Sequence, residues 1–196
     1  MSEMSRMWDK PVFAHGRFAD IDLLTGLLPN WNGEWEPASI EHAVARFERV
    51  TREKTASLNV KLGGDEKVYG AMLWLDEQSF QRYEQIEMAY GECRARRVVI
   101  NGKETGKVAG FIYCAALTSR TLRPDPKEYV RTLRALLDAE APVDYVQRLI
   151  QETAPRWIGE HYLLGQEFQS LSVERKQLNE QQREQLEKSF RASDNS

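Results

Sequence analysis

The stretch Lys67-Val68-Tyr69-Gly70-Ala71-Met72-Leu73-Trp74-Leu75-Asp76, running on into Phe80-Gln81-Arg82-Tyr83-Glu84, organises the reading of the whole chain. Lys67 to Leu75 is apolar on both faces, the pattern of a central strand covered from two sides. Asp76 stands where a helix N-cap belongs. Phe80 and Tyr83, three residues apart, predict the inner face of a helix reaching about Glu87. A buried strand delivered straight into an amphipathic helix points to an α+β domain.

Upstream, residues 43–75 read as β, with strands at Phe47 to Thr51 and Ala56 to Leu62 and a Gly63-Gly64-Asp65 turn before the central strand. Pro11-Val12-Phe13-Ala14 is a short buried strand ending in the turn signal His15-Gly16. Asp20 to Leu28 suits a short helix. Pro29 to Pro37 reads as a loop by its Pro, Asn and Gly content, and its two tryptophans, Trp31 and Trp35, either cover a site or lie against the body of the domain. Downstream, Cys93 to Ile100 and Lys107 to Leu117 form a hairpin closed over Asn101 to Gly106, with Asn-Gly supplying positive φ. If that hairpin is symmetric, Cys93 and Cys114 face each other across it. Asp125-Pro126 caps a helix carrying Tyr129, Val130, Leu133, Leu136 and Leu137. Pro142 opens another with Val143, Val146, Leu149 and Ile150 inward. The expected organisation is one domain over 11–155 and an extension over 156–196, rich in Gln, Glu, Lys and Arg, that is helical or partly disordered.

Composition narrows the function classes. The chain has 196 residues, 27 Lys and Arg against 30 Asp and Glu, and a formal net charge of -3. Nothing in that balance attracts a phosphate backbone, so nucleic acid is not an expected partner. No apolar run approaches the roughly 20 residues of a membrane helix, and the first ten residues lack the apolar core of a secretory signal. A soluble, cytoplasmic protein without membrane attachment is expected. Two cysteines make no disulfide framework, and the three histidines, His15, His42 and His161, lie far apart with no ligand spacing, so no metal site is expected. Phosphate-cradling, dinucleotide and nucleophile-elbow motifs are all missing from the sequence.

Two local features carry chemistry. In Phe13-Ala14-His15-Gly16-Arg17-Phe18 a strand ends on a glycine, where consecutive amides form an anion-binding nest or simply a turn. Glu84 lies four residues after Phe80 on the inner helix face, where partial desolvation raises a carboxyl pKa toward that of a proton shuttle. Glu87 faces much the same way, and helix geometry alone does not choose between them. Glu84 also suits an ion pair with an arginine or a position reaching solvent.

Taken in order, the motifs resemble the gamma-glutamylcyclotransferase-like family from about Val12 to Ala154. His15-Gly16-Arg17-Phe18 stands at that family's Tyr-Gly-Ser turn, Val68 to Leu75 is similar to its Val-Trp-Gly-Val-Leu-Tyr strand, and Phe80 to Glu84 matches its Leu-Asp-Arg-Tyr-Glu segment. Tyr90, Val108 to Ala115, Pro126 to Tyr129 and Ala141 to Tyr145 follow in the family's order. The resemblance implies a mixed β-barrel with flanking helices around a pocket for a small-molecule gamma-glutamyl substrate. It makes Glu84 the catalytic acid/base, the backbone of Gly16, Arg17 and Phe18 together with His15 the substrate turn, and Tyr129 a pocket residue that equally suits a role in the core. The implied reaction needs no cofactor. The substrate's α-amine attacks its own γ-carbonyl, releasing 5-oxoproline and an amine or amino acid, with glutathione among the possible substrates.

This sequence departs from the pattern at His15, where the family has Tyr, at Arg17, where it has Ser or Thr, and at Phe18, where Leu or Asn is common. Arg17 is either a carboxylate clamp or a solvent-facing side chain. The alternative reading is a member of the same fold that binds a small ligand or partner without turnover. Monomer and homodimer are both open.

Overall fold

The computed structural model describes residues 10–153. Among these the strands are β1 Lys10–Ala14, β2 Trp35–Val50, β3 Ala56–Leu62, β4 Glu66–Leu75, β5 Cys93–Gly102 and β6 Gly106–Ala115. The α-helices are α1 Ile21–Leu27, α2 Glu77–Tyr90, α3 Pro126–Asp138 and α4 Val143–Thr153. The described residues divide into two units between Glu140 and Ala141, and α4 belongs to the second. The 156–196 extension expected from sequence lies outside the described residues.

Strands are ordered β3-β2-β4-β1-β6-β5, and a further pairing of Ala38 and Ser39 on β2 with Gly102 and Asn101 on β5 closes five of them into a barrel. The pairing of β1 with β6 at Val12 and Phe111 is parallel, whereas β4 runs antiparallel to both β1 and β2, so the barrel is mixed. β4 lies between β1 and β2, and Val68 and the run Gly70 to Leu75 are buried. That is the central strand expected from its two apolar faces. Asp76 accepts from the Ser79 amide at 2.7 Å and Asp125 from the Glu128 amide at 3.0 Å. Each such cap is worth about 1 kcal/mol.

Two local expectations are corrected. The stretch read as a loop to Pro37 already belongs to β2 from Trp35 onward, because Trp35 to Ile40 pair with Leu73 back to Val68. Proline, lacking an N–H, is tolerated there: Pro37 offers its carbonyl to the Lys103 amide at 2.9 Å. Trp31 lies against the body of the domain, its indole N–H donating to the Trp74 carbonyl at 2.9 Å. β2 then bends at His42, which takes a positive φ of 55° inside a register shift between Ile40 and Ala43. Beyond that bulge the strand trades β4 for β3 as its neighbour.

The second correction is the hairpin. Asn101 and Gly102 stay in β5, the loop is Lys103 to Thr105, and Gly106 takes the positive φ of 73°. Glu36 holds this loop, its carboxylate accepting from the amides of Glu104 and Thr105 and from the Thr105 hydroxyl. Pairing is therefore Cys93 with Ala115 and Arg94 with Cys114. A shift of one residue puts the two cysteines on opposite faces, and both are free. Burial pushes each thiol up to about 11, so neither supplies a thiolate near neutrality.

Glu48 on β2 has a buried carboxylate held by Lys61 at 2.8 Å, Asn59 at 3.2 Å and Arg120 at 3.4 Å. Burial alone raises its pKa, but Lys61, Asn59 and Arg120 outweigh burial and hold it below the usual value. A carboxyl depressed on folding stabilises the fold above its unfolded pKa, about 4.3. That contribution is lost as pH falls through the lower folded value. Glu48→Gln is expected to cost about 1–3 kcal/mol in urea unfolding at pH 7. The difference from wild type is expected to shrink below about pH 4. An unchanged gap across that range would contradict the ion-pair account.

Candidate functional site

The chain leaves β1 through His15 and winds into a tight 3-10 turn over Gly16–Ala19. Gly16 takes φ +63°, which suits glycine, and a Cβ there would sit 3.2 Å from Leu58 Cβ. The Phe18 amide closes the turn on the His15 carbonyl at 3.3 Å. The Gly16 and Arg17 amides, at the head of the turn, have no partner within it.

Aromatic residues fix the turn from α2. The Phe18 ring is buried edge-on against Tyr83 and Tyr90, each at 5.7 Å between centroids. That contact accounts for an aromatic side chain at a position where only the backbone was expected to act. Arg17 is half-buried, lies over the Tyr90 ring at 4.6 Å and pairs with Glu128 at 3.2 Å. The ion pair ties Arg17 to α3. Tyr129, next to Glu128 on α3, is buried with its ring 4.9 Å from that of Phe47 on β2.

His15 and Glu84 meet at one residue, Tyr113 on β6. His15 Nε2 lies 3.1 Å from the Tyr113 carbonyl, and the Tyr113 hydroxyl donates to Glu84 Oε1 at 3.2 Å. Burial and the neighbouring Glu84 raise the Tyr113 pKa, so the phenol stays protonated and remains a donor to the carboxylate at any working pH. Burial lowers the pKa of His15, which is only 4% exposed, and keeps its imidazole neutral near pH 7.

The two glutamates that helix spacing leaves equivalent have different surroundings. Glu87 is 2% exposed and fully engaged: Arg49 Nη1 donates to Oε2 at 2.6 Å, Tyr83 Oη donates to Oε1 at 3.0 Å, and Arg49 Nη2 donates to the Glu87 carbonyl at 2.7 Å. Glu84, one turn earlier, is half-buried and receives the Tyr113 hydroxyl. A carboxylate saturated by an arginine and a phenol is poorly placed to exchange protons, whereas one with a single neutral donor keeps lone pairs for another partner. Arg49 gave no sequence signal beyond a charge inside a strand pattern. The register shift between Phe47 and Arg49 marks the irregularity from which it enters the cluster. Tyr113 lies in the Val108 to Ala115 strand that resembles a family motif, but the sequence assigns it no role at the site.

A groove of about 340 Å³ runs along another stripe of α2, lined by Leu28, Asn30, Ser79, Gln81, Arg82 and Gln85 among others. It shares no residue with the turn. Among the described residues no group of His, Cys, Asp and Glu is arranged to hold a metal ion, and no helix is long and apolar enough to cross a membrane.

No protein-family model matches the chain, and no curated protein matches it by sequence. Solved structures match its fold. A gamma-glutamyl cyclotransferase superposes with a TM-score of 0.61 at 14% identity, over 72% of this chain and 86% of that one. An uncharacterized protein from Homo sapiens gives 0.60 at 13% identity, over 72% and 86%. YkqA from Bacillus subtilis gives 0.56 at 13% identity, over 74% of this chain and 54% of that one. The mixed barrel with its flanking helices is thus the gamma-glutamyl cyclotransferase-like fold.

Proposed function

We propose that this protein cleaves a gamma-glutamyl amide by cyclisation, releasing 5-oxoproline and an amine or amino acid. The observation that carries the reading is the junction at Tyr113, which holds His15 at the head of the turn and Glu84 on α2 within one hydrogen-bonded unit. The fold shared with a gamma-glutamyl cyclotransferase supports it.

In this reading the substrate is folded so that its α-nitrogen lies against its γ-carbonyl carbon, and proximity supplies much of the acceleration. Glu84 takes a proton from the α-ammonium. The freed lone pair forms the new C–N bond, and the amide bond to the leaving group breaks as Glu84 returns that proton to the departing nitrogen. The second proton that the ring nitrogen sheds in becoming the lactam N–H passes to the released amine, which leaves as an ammonium ion. The Gly16 and Arg17 amides hold the α-carboxylate or the developing oxyanion. Tyr113 keeps the Glu84 carboxylate aimed, and Tyr129 shapes the wall behind the turn. Transferase or lyase chemistry on glutathione, on a gamma-glutamyl dipeptide or on a gamma-glutamylated amine shares this glutamyl half. A soluble cytoplasmic enzyme fits such substrates.

The test is to incubate the protein with a panel of gamma-glutamyl amino acids, amines and glutathione and to measure 5-oxoproline. Formation from at least one member is expected, and none from any would end the catalytic reading. A binding-only reading is favoured by one observation, the Arg17–Glu128 ion pair laid against the turn. Stoichiometric binding of a panel member without product would select it.

A further inference from the structure

His15 has one ring nitrogen committed and one that is not. A backbone carbonyl only accepts, so the 3.1 Å contact with the Tyr113 carbonyl requires Nε2 to carry the proton. With Nε2 protonated and the ring neutral, Nδ1 is a bare lone pair. Among the described residues Nδ1 has no hydrogen-bond partner, although the side chain is 96% buried. A buried acceptor left unmatched carries a desolvation penalty that an incoming donor recovers. The ring is braced, stacked on Phe13 at 6.5 Å between centroids, and it stands immediately before Gly16 at the head of the turn. The Arg49–Glu87 pair acts on its charge from nearby.

We propose that His15 Nδ1 accepts an N–H from the ligand's α-nitrogen, making His15 a specificity-determining residue for the glutamyl amine. This rests on the gamma-glutamyl reading above. The donor requirement matches the chemistry throughout. An α-ammonium has three N–H bonds, the attacking amine has two and one lone pair, and the lactam product keeps one. Once Glu84 has removed a proton, holding one of the remaining N–H bonds leaves the nucleophile's lone pair with a fixed direction. The familial tyrosine at this position is both donor and acceptor, whereas the Nε2-protonated histidine offers the ligand an acceptor alone.

The probes are 5-oxoproline and its oxygen analogue 5-oxotetrahydrofuran-2-carboxylate, which has the same ring and carboxylate with oxygen in place of N–H. In the full-length protein labelled with [15N]histidine, long-range 15N–1H spectra are expected to show His15 as the Nε2-protonated tautomer. Saturation with 5-oxoproline should move the Nδ1 resonance upfield, and the oxygen analogue should leave it in place. His15→Phe keeps an aromatic ring beside Phe13 while deleting the Nδ1 acceptor. It is expected to reduce the preference for 5-oxoproline over the analogue by about tenfold. Binding of both ring compounds by the wild type with an unmoved Nδ1 resonance, or an Nδ1-protonated tautomer, would overturn the proposal and leave the gamma-glutamyl reading standing. If neither compound binds and no 5-oxoproline forms from the substrate panel, both fall together.

Discussion

Glu84→Gln is expected to reduce 5-oxoproline formation by about 10²- to 10⁴-fold, the span that a positioned general acid/base supplies. Its unfolding free energy should stay within about 0.5 kcal/mol of wild type. Both halves follow from the surroundings of the side chain. Glu84 is half-buried and accepts one hydrogen bond, from the Tyr113 hydroxyl at 3.2 Å, which a glutamine carbonyl accepts equally well. What glutamine does not do is take a proton from an ammonium group and return it. Glu87→Gln provides the control. It leaves the proton-transfer group in place but weakens the charged contacts made by Arg49, so the loss should appear in unfolding rather than in turnover. Steady-state rates and urea unfolding on the two variants separate the roles. Equal turnover in Glu84→Gln and wild type would exclude Glu84 as the acid/base.

The second large effect is on stability. Arg49→Met is expected to cost about 3–5 kcal/mol, because it strands a buried carboxylate. Arg49 and Glu87 are each 2% exposed, and the guanidinium also donates to the carbonyls of Glu87 and Gly91 at the C-terminal end of α2. Losing it removes a helix-end cation and an ion-pair partner together. The double variant Arg49→Met, Glu87→Met is expected to recover much of the loss, since removing both charges removes the uncompensated desolvation. Urea unfolding of the single and double variants measures this directly. Additive losses in the double variant would show that the two side chains act independently.

Much of the frame is written in local patterns. Asp20, Asp76 and Asp125 each cap the helix that their spacing announces, and their carboxylates accept amides three residues on. A residue and the helix it starts are close in sequence, so composition suffices to find them. Gly16 likewise marks its turn, because few other residues accept φ +63°. The hairpin register was beyond such reasoning. The Asn101-Gly102 pair has strong turn chemistry, yet it stays extended because β2 offers Gly102 and Asn101 partners at Ala38 and Ser39, and Glu36 holds the loop that follows.

The candidate site divides along the same line. Sequence by itself determined that β4 is covered on both faces, that α2 presents Phe80, Tyr83, Glu84 and Glu87 on one side, and that the chain turns at His15-Gly16. All of these depend on periods and conformations within a few residues. Only the tertiary structure decided which glutamate is committed and which is not, since Arg49 reaches Glu87 from 38 positions away and Tyr113 reaches Glu84 from 29. It alone decided the state of the His15 ring, whose proton is set by a carbonyl 98 residues distant. Helical phase assigns a side chain to a face, whereas a charge or a tautomer is set by the groups that burial brings against it.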